Sequence, residues 1–190
     1  FTKFEKMLLL SVKKANDEAK INLKDKNTLF VLSTTKGNIS YLSDEMDEKV
    51  YLWHSAHKVA SFFGNENEPL VISNACISGA AAQVEALRLI ENGYYENCVV
   101  VGGELLSKFI ISGFQSFKAL SQEQCQPFDK NRHGLNLGEA AATIIYSKEN
   151  KTNSKIVLLK GAIRNDARHI SAPSIEAEGL YNCLVAITED

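Results

Sequence analysis

One cysteine of this chain lies where a nucleophile could be held. Cys76 follows a short apolar run, residues 69–73, and precedes a run of small residues, 78–82. This pattern predicts a buried strand, a sharp turn and then a helix from Cys76 to about Asn92, ended by Gly93. Helix N-termini carry unpaired backbone N–H groups and a partial positive charge, which favour the nucleophilic thiolate form of cysteine. The same N–H groups could hold the oxyanion that develops on an attacked carbonyl group.

A second interpretation of Cys76, as an inert core cysteine, stays open because free cysteine is commonly buried. Cys98 begins an apolar run and Cys183 lies in an apolar, helix-like segment, so both are predicted to be core residues. Cys125 lies in a polar loop and is predicted to be exposed. The four cysteines form no Cys-x-x-Cys pair, which argues against a zinc site or a disulfide framework. A reducing compartment, the cytoplasm, is therefore expected.

The histidines and one polar loop are weaker candidates for chemistry. His54 and His57 stand three residues apart on a predicted helix, where a surface or packing role is more common than a metal pair. No histidine has metal-ligand spacing with a cysteine, so no metal site is expected. Asp129 and Arg132 could pair within the loop 125–134, where we expect them to act as a structural clamp.

The composition is that of a packed protein with one domain or two very small ones. The 190 residues are 45% hydrophobic and 23% charged, and the net charge is −2. This balance does not suggest a surface for nucleic acid or anionic membranes. No apolar run approaches the roughly 20 residues that span a bilayer, and the first residues lack a signal-peptide layout. Since the chain does not begin with Met, we expect it to be a trimmed fragment.

Helices and strands alternate around the candidate nucleophile. Apolar residues at helical spacing predict an amphipathic helix over residues 2–20 and a second helix over 45–63. Residues 104–134 look less regular. The alternation predicts an α/β layered sheet with parallel strands. The predicted strands are 28–33, 69–73, 98–103, 137–147 and 156–164.

Five segments, taken in chain order, resemble those of one enzyme family. Residues 74–79, Asn-Ala-Cys-Ile-Ser-Gly, resemble the nucleophile segment of the β-ketoacyl-acyl-carrier-protein synthases of the thiolase superfamily. Together the five are specific, so the resemblance favours Cys76 as a nucleophile. The other four are similar to the strand after the nucleophile helix (99–104), the Gly-Phe and Ala-Leu-Ser segment (113–121), Pro-Phe-Asp-x-x-Arg-x-Gly followed by Gly-Glu-Gly-Ala (127–141), and Asp-Ala-Tyr-His (165–173).

The resemblance implies an α/β fold of the thiolase type. This is a layered fold in which a mixed β-sheet is flanked by helices, and only about half of the family fold is present. Residues 1–150 are expected to form the N-terminal half that carries the nucleophile, and residues 151–190 the start of the C-terminal half. The family's opening strand has no counterpart before the first helix.

The resemblance also implies a decarboxylative Claisen condensation in fatty acid or polyketide synthesis. Cys76 would accept an acyl group from the phosphopantetheine arm of an acyl carrier protein, and its backbone N–H would be one oxyanion donor. Malonyl-acyl-carrier protein would then lose carbon dioxide, and its carbanion would attack the acyl-enzyme. Structural roles are expected for Asp129, Arg132, Gly134, Gly138 and Glu139.

By the same resemblance the protein needs no cofactor and forms a homodimer. The dimer would pair the strand before the nucleophile, within residues 69–74, with its copy. The partners expected are acyl carrier protein and this second copy, with no nucleic acid and no membrane span.

The chain departs from the family pattern at several positions. Ala140 replaces a usual glycine, and His133 stands where an acidic residue is common. The family's His-Gly-Thr segment and its later histidine segment are both absent, and none of the four histidines here occupies either one. The catalytic histidine roles are therefore not transferred, and the 190 residues alone are expected to be inactive.

Two alternative functions stay open. The first is a non-condensing chain-length partner subunit, which Cys76 argues against because such relatives usually lack the cysteine. The second is a thiolase-superfamily acyl transferase acting on coenzyme A esters. The loop that resembles Pro-Phe-Asp-x-x-Arg-x-Gly favours the carrier-protein synthases instead.

Overall fold

The computed structural model describes residues 1–45, 47–149, 156–166, 168 and 174–188. None of the helices in this part of the chain is both long and apolar enough to cross a membrane. The helices are α1 (Lys3–Ala19), α2 (Leu52–Phe62), α3 (Ser78–Glu91), α4 (Lys108–Ser116) and α5 (Glu178–Thr188), and the strands are β1 (Thr28–Ser33), β2 (Leu70–Ile72), β3 (Asn97–Glu104) and β4 (Ala140–Ser147).

The four strands form one mixed sheet in the order β2-β1-β3-β4. β1 is parallel to both β2 and β3, whereas β4 is antiparallel to β3, with Ala140 opposite Glu104. The mixed sheet implied by the family resemblance is confirmed, but the prediction of parallel strands is wrong for β4. The carboxyl end of β3 and the start of β4 lie at the same end of the sheet, so the connection between them makes no crossover. A parallel pair of strands would need a crossover.

Helices cover both faces of the sheet. Phe30 and Leu32 of β1 pack with residues of α1 and α2 in one hydrophobic cluster. Leu29 and Val31 face the opposite side and pack with residues of α3 in a second cluster. All six residues of β1 are buried, as expected for a strand covered on both faces.

The predicted strand at residues 156–164 is wrong. The structure describes residues 156–166 without assigning a strand, and Ile156 and Val157 are exposed. At Gly161 an added Cβ would lie 2.6 Å from Cγ2 of Val84, so the segment packs against α3. No described strand pairs with it, and strand-forming residues alone do not make a strand without such a partner.

Several predicted boundaries also move. The helix predicted over 45–63 is a 3₁₀ turn, Glu48–Val50, followed by α2, and the strand predicted over 137–147 begins only at Ala140. The irregular region 104–134 contains α4, which begins where the Ser107 hydroxyl accepts a hydrogen bond from the Ile110 N–H at 3.2 Å. Ser107 is the N-cap of α4, whereas the sequence around it has only a weak helical pattern.

Candidate active site

Cys76 lies in a 3₁₀ turn, Ala75–Ile77, that leads directly into α3. The turn follows β2, so the order strand, turn and helix is as predicted. The prediction of a buried strand is wrong in degree, because all three residues of β2 are half-buried. β2 is an outer strand of the sheet, which leaves one of its long edges uncovered by the described strands.

The turn holds Cys76 at the protein surface. Cys76 is exposed, which contradicts the alternative of an inert core cysteine. Ala75 has φ +45°, in the left-handed region that costs a non-glycine residue about 1–2 kcal/mol. Such strain persists only where neighbouring groups hold it in place, and it is concentrated at functional sites.

Ser78 supplies two of the contacts that hold this turn. Its Oγ accepts a hydrogen bond from the Asn74 N–H at 2.8 Å and donates one to the Ala75 carbonyl at 2.6 Å. Ser78 is buried, so these hydrogen bonds are shielded from water. In the sequence Ser78 belongs to a run of small residues and to the segment 74–79, and neither pattern indicates that its hydroxyl reaches back to the turn.

The backbone N–H of Cys76 has no partner among the described residues. The Ile77 N–H donates to the Asn74 carbonyl at 3.2 Å, and the Ser78 N–H donates to the Ala75 carbonyl. The Cys76 N–H makes no hydrogen bond with any residue that the structure describes. It is therefore free to donate to an oxyanion formed beside the Cys76 thiol.

The other cysteines differ from Cys76 in burial. Cys98 is fully buried, as predicted, and burial raises the pKa of its thiol to about 12, with the charge of Glu85 adding to the effect. Cys183 lies in α5, half-buried, with its thiol donating to the Ala162 carbonyl at 3.7 Å. Cys125 is half-buried rather than exposed, and its backbone N–H donates to Oδ1 of Asn136 at 2.8 Å.

Alkylation of the folded protein should distinguish Cys76 from Cys98. At about pH 8 iodoacetamide is expected to modify exposed Cys76 readily and buried Cys98 slowly, since the Cys98 thiol stays protonated. Folding raises the pKa of Cys98 from 9.0 to about 12, so the unfolded chain loses this proton first. The free energy of unfolding should therefore fall as the pH rises between those values. Mass spectrometry of the alkylated peptides and urea denaturation at two pH values measure these effects.

Equal alkylation rates for Cys76 and Cys98 in the folded protein would contradict this prediction. A free energy of unfolding that stays constant above about pH 9 would contradict its second part.

Neither helical histidine lies in a metal-binding group. His57 Nε2 lies 2.7 Å from Oε1 of Glu68, and His54 Nδ1 lies 3.9 Å from Oε2 of Glu48. In the described part of the chain no three His, Cys, Asp or Glu side chains are grouped so that they could hold a metal ion. Both histidines instead sit against Trp53, with ring centroids 5.7 and 6.0 Å away. His169 lies outside the described residues.

The predicted clamp between Asp129 and Arg132 takes a different form from an ion pair. Arg132 Nη1 donates to the backbone carbonyl of Asp129 at 2.9 Å, while the Asp129 carboxylate accepts from the Asn131 N–H at 2.7 Å. Gly134 closes the same loop at φ +123°, where an added Cβ would lie 2.6 Å from the Ala119 carbonyl oxygen. Backbone contacts hold this loop, and a side chain at Gly134 would break them.

Glu139 joins α1 to the segment after β3. Its carboxylate accepts from Lys3 Nζ at 2.7 Å and from the Leu106 N–H at 3.2 Å. The hydrogen bond from Lys3 is the main cause that lowers the pKa of Glu139. The neighbouring Gly138 has open space around it, so the structure gives no steric reason for a glycine there.

Glu104 is a further polar residue whose environment sequence analysis missed. Its Oε1 accepts from the hydroxyls of Thr34 and Thr35 at 3.1 and 2.8 Å and from the Thr35 N–H, which ties the ends of β1 and β3 together. Its Oε2 is buried and has no hydrogen-bond partner among the described residues. No sequence pattern could have found this, because the two strands are about 70 residues apart along the chain.

The mixed sheet flanked by helices, with the nucleophile-type turn before α3, defines a protein of the thiolase-like fold class. The family profile described as "Beta-ketoacyl synthase, N-terminal domain" matches residues 2–151. Because this match covers most of the chain, the chain belongs to the β-ketoacyl synthase family.

Individual relatives agree with this family. The chain is 29% identical over 126 residues to 3-oxoacyl-(acyl-carrier-protein) synthase 2 of Rhizobium meliloti, covering 60% of this chain and 30% of that protein. It is 27% identical over 127 residues to the protein of the same name from Staphylococcus aureus, covering 61% and 32%. The match therefore spans about a third of the length of these curated relatives.

Solved structures have the same fold. The ishigamide ketosynthase/chain length factor superposes with a TM-score of 0.82 at 20% identity, covering 97% of this chain and 52% of that one. A ketosynthase in complex with its chain length factor from Xenorhabdus doucetiae superposes with a TM-score of 0.74 at 25% identity, covering 93% and 48%.

Proposed function

We propose that this chain is the nucleophile-bearing part of a β-ketoacyl-acyl-carrier-protein synthase. The observation that carries the proposal is an exposed Cys76 on a strained turn at the N-terminus of α3, in a chain of the β-ketoacyl synthase family. Residues 1–150 are assigned to the N-terminal half of a longer protein and residues 151–190 to the start of its second half. A nucleophilic thiol works in a reducing compartment, which favours the cytoplasm.

The first step is the transfer of an acyl group to Cys76. The thiolate attacks the carbonyl carbon of an acyl thioester on the phosphopantetheine arm of an acyl carrier protein. A new C–S bond forms and the old C–S bond breaks, and the carrier leaves as a thiolate that takes up the proton lost by the Cys76 thiol. The Cys76 N–H, which lacks a partner among the described residues, donates to the oxyanion of the tetrahedral intermediate.

The second step is decarboxylative condensation. The C–C bond to the malonyl carboxylate breaks, carbon dioxide leaves, and the electron pair forms an enolate. This carbanion attacks the acyl-enzyme carbonyl, and the tetrahedral intermediate expels the Cys76 thiolate. By family resemblance, the histidines that stabilise the enolate belong to segments that this sequence does not contain.

The full-length protein that contains this chain should condense acyl and malonyl groups. The experiment supplies acyl-acyl-carrier protein and malonyl-acyl-carrier protein and measures both carbon dioxide release and the extended β-ketoacyl product by mass spectrometry. Condensation only with coenzyme A esters would assign the alternative acyl transferase function. A protein that releases no carbon dioxide but alters the chain length made by a separate synthase would be a non-condensing partner subunit.

We also propose that the protein forms a two-fold homodimer through β2. β2 is an outer strand with one long edge uncovered by the described strands, and such an edge readily pairs with its own copy. Light scattering of the full-length protein is expected to give twice the monomer mass. A stable monomer at assay concentration would reject this proposal.

A further inference from the structure

We propose that Ser78 is the positioning residue of the nucleophile turn, a role that rests on the proposed function of Cys76 as the acyl acceptor. The Ser78 hydroxyl accepts a hydrogen bond from Asn74 and donates one to Ala75, the two residues that precede Cys76. It thereby couples the first residue of α3 to the turn that presents the thiol.

Both hydrogen bonds act on the strained part of the turn. The Ala75 carbonyl receives two donors from Ser78, the hydroxyl at 2.6 Å and the backbone N–H. The Asn74 N–H donates to Oγ of Ser78 at 2.8 Å. Residues 74 and 75 are therefore fixed from the helix side, and Ala75 keeps a conformation that alanine rarely adopts.

Burial separates Ser78 from the other residues of the turn. Asn74, Ala75, Cys76 and Ile77 are all exposed, whereas only 5% of Ser78 is accessible to solvent. Water can replace a hydrogen bond at an exposed turn but has little access to the Ser78 hydroxyl. Without that hydroxyl fewer hydrogen bonds hold Ala75 at positive φ. The turn would then relax, and the Cys76 thiol would move away from the N-terminus of α3.

Ser78→Ala in the full-length protein is expected to slow alkylation of Cys76 by iodoacetamide at neutral pH about tenfold. Two hydrogen bonds of ordinary net strength correspond to roughly this change in the population of the strained turn. In condensation, kcat should fall by a similar factor with KM unchanged, since the residue touches the nucleophile turn and not the substrate. Peptide mass spectrometry separates Cys76 from the other cysteines, and an unchanged rate at Cys125 shows that the fold is intact.

The decisive variant is the pair Ala75→Gly with Ser78→Ala. Glycine adopts positive φ without a Cβ penalty, so the turn no longer needs the hydroxyl to hold it. The pair is expected to restore the alkylation rate of Cys76 to within about threefold of the wild type, which a packing role for Ser78 would not explain. If Ser78→Ala alone melts below the assay temperature, this pair still gives the answer, because its rate is compared directly with that of the wild type.

A matched control exists in α4. The Ser116 hydroxyl donates to the Gly113 carbonyl at 2.7 Å, which is the same type of contact between residues three apart. Ser116→Ala should leave alkylation of Cys76 unchanged. An unchanged or faster rate in Ser78→Ala, or a pair that stays as slow as Ser78→Ala, would overturn the inference. If the wild-type protein does not condense but Ser78→Ala still lowers the alkylation rate of Cys76, the proposed function is refuted and the positioning role of Ser78 is supported.

Discussion

Cys76→Ser should reduce β-ketoacyl product formation by about 10⁴-fold or more. The serine hydroxyl is not ionised near neutral pH and is a far weaker nucleophile than a thiolate. Loss of a covalent nucleophile removes most of the rate enhancement of an enzyme that uses one. The measurement is mass spectrometry of the extended product, made by the full-length protein from acyl- and malonyl-acyl-carrier protein.

Cys125→Ser provides the matched control for this substitution. It makes the same chemical change at a half-buried loop cysteine. The backbone N–H of Cys125, and not its thiol, makes the hydrogen bond with Asn136. The condensation rate of this variant is expected to stay within about twofold of the wild type. A Cys76→Ser protein that keeps a tenth of the wild-type rate would mean that another residue carries the acyl group.

The parts of the fold that the sequence predicts well have strong local signals. β1 was predicted at residues 28–33 and has those bounds, and β3 extends the predicted 98–103 by one residue on either side. Both are continuous apolar runs rich in β-branched residues, the pattern of a strand buried on both faces. α3 ends where Gly93 was expected to end it, and Gly93 has the positive φ of such a cap.

The errors arise where tertiary contacts decide the structure. Residues 156–164 have the composition of a strand, but they contact α3 at Gly161 and pair with no described strand. The direction of β4 depends on whether residues 105–139 return to the end of the sheet where β3 ends, and no local sequence pattern indicates this. α4 was missed because a single capping residue, Ser107, is a weak signal beside Gly113 in the helix interior.

For the candidate site the sequence predicted where Cys76 lies but not the contacts that hold its turn. The small-residue run after Cys76 and the strand before it were enough to place the thiol just before α3, although the helix begins at Ser78 and not at Cys76 as predicted. Ala75 at positive φ could not be predicted, because alanine seldom adopts that conformation outside a constrained turn. Ser78 and Glu104 likewise act through hydrogen bonds that become visible only when the backbone path is known.

None of the three histidines that the structure describes makes a hydrogen bond with Cys76. His54 and His57 lie on α2 beside Glu48 and Glu68, and His133 lies in the loop between α4 and β4. His169 lies outside the described residues. Decarboxylation needs hydrogen-bond donors aimed at the developing enolate oxygen, and by family resemblance those donors come from histidine segments absent from this sequence.

The 190 residues alone should therefore form no measurable β-ketoacyl product. A missing acid–base group costs about 10²–10⁴-fold and a missing oxyanion donor about 10²–10³-fold, so two absent histidines place the rate below detection. Cys76 should still react with iodoacetamide, because the turn and α3 that present it belong to this chain. The measurement compares product formation by the chain and by the full-length protein at equal concentration. Condensation by the chain at a rate near that of the full-length protein would show that one of its own histidines serves the reaction.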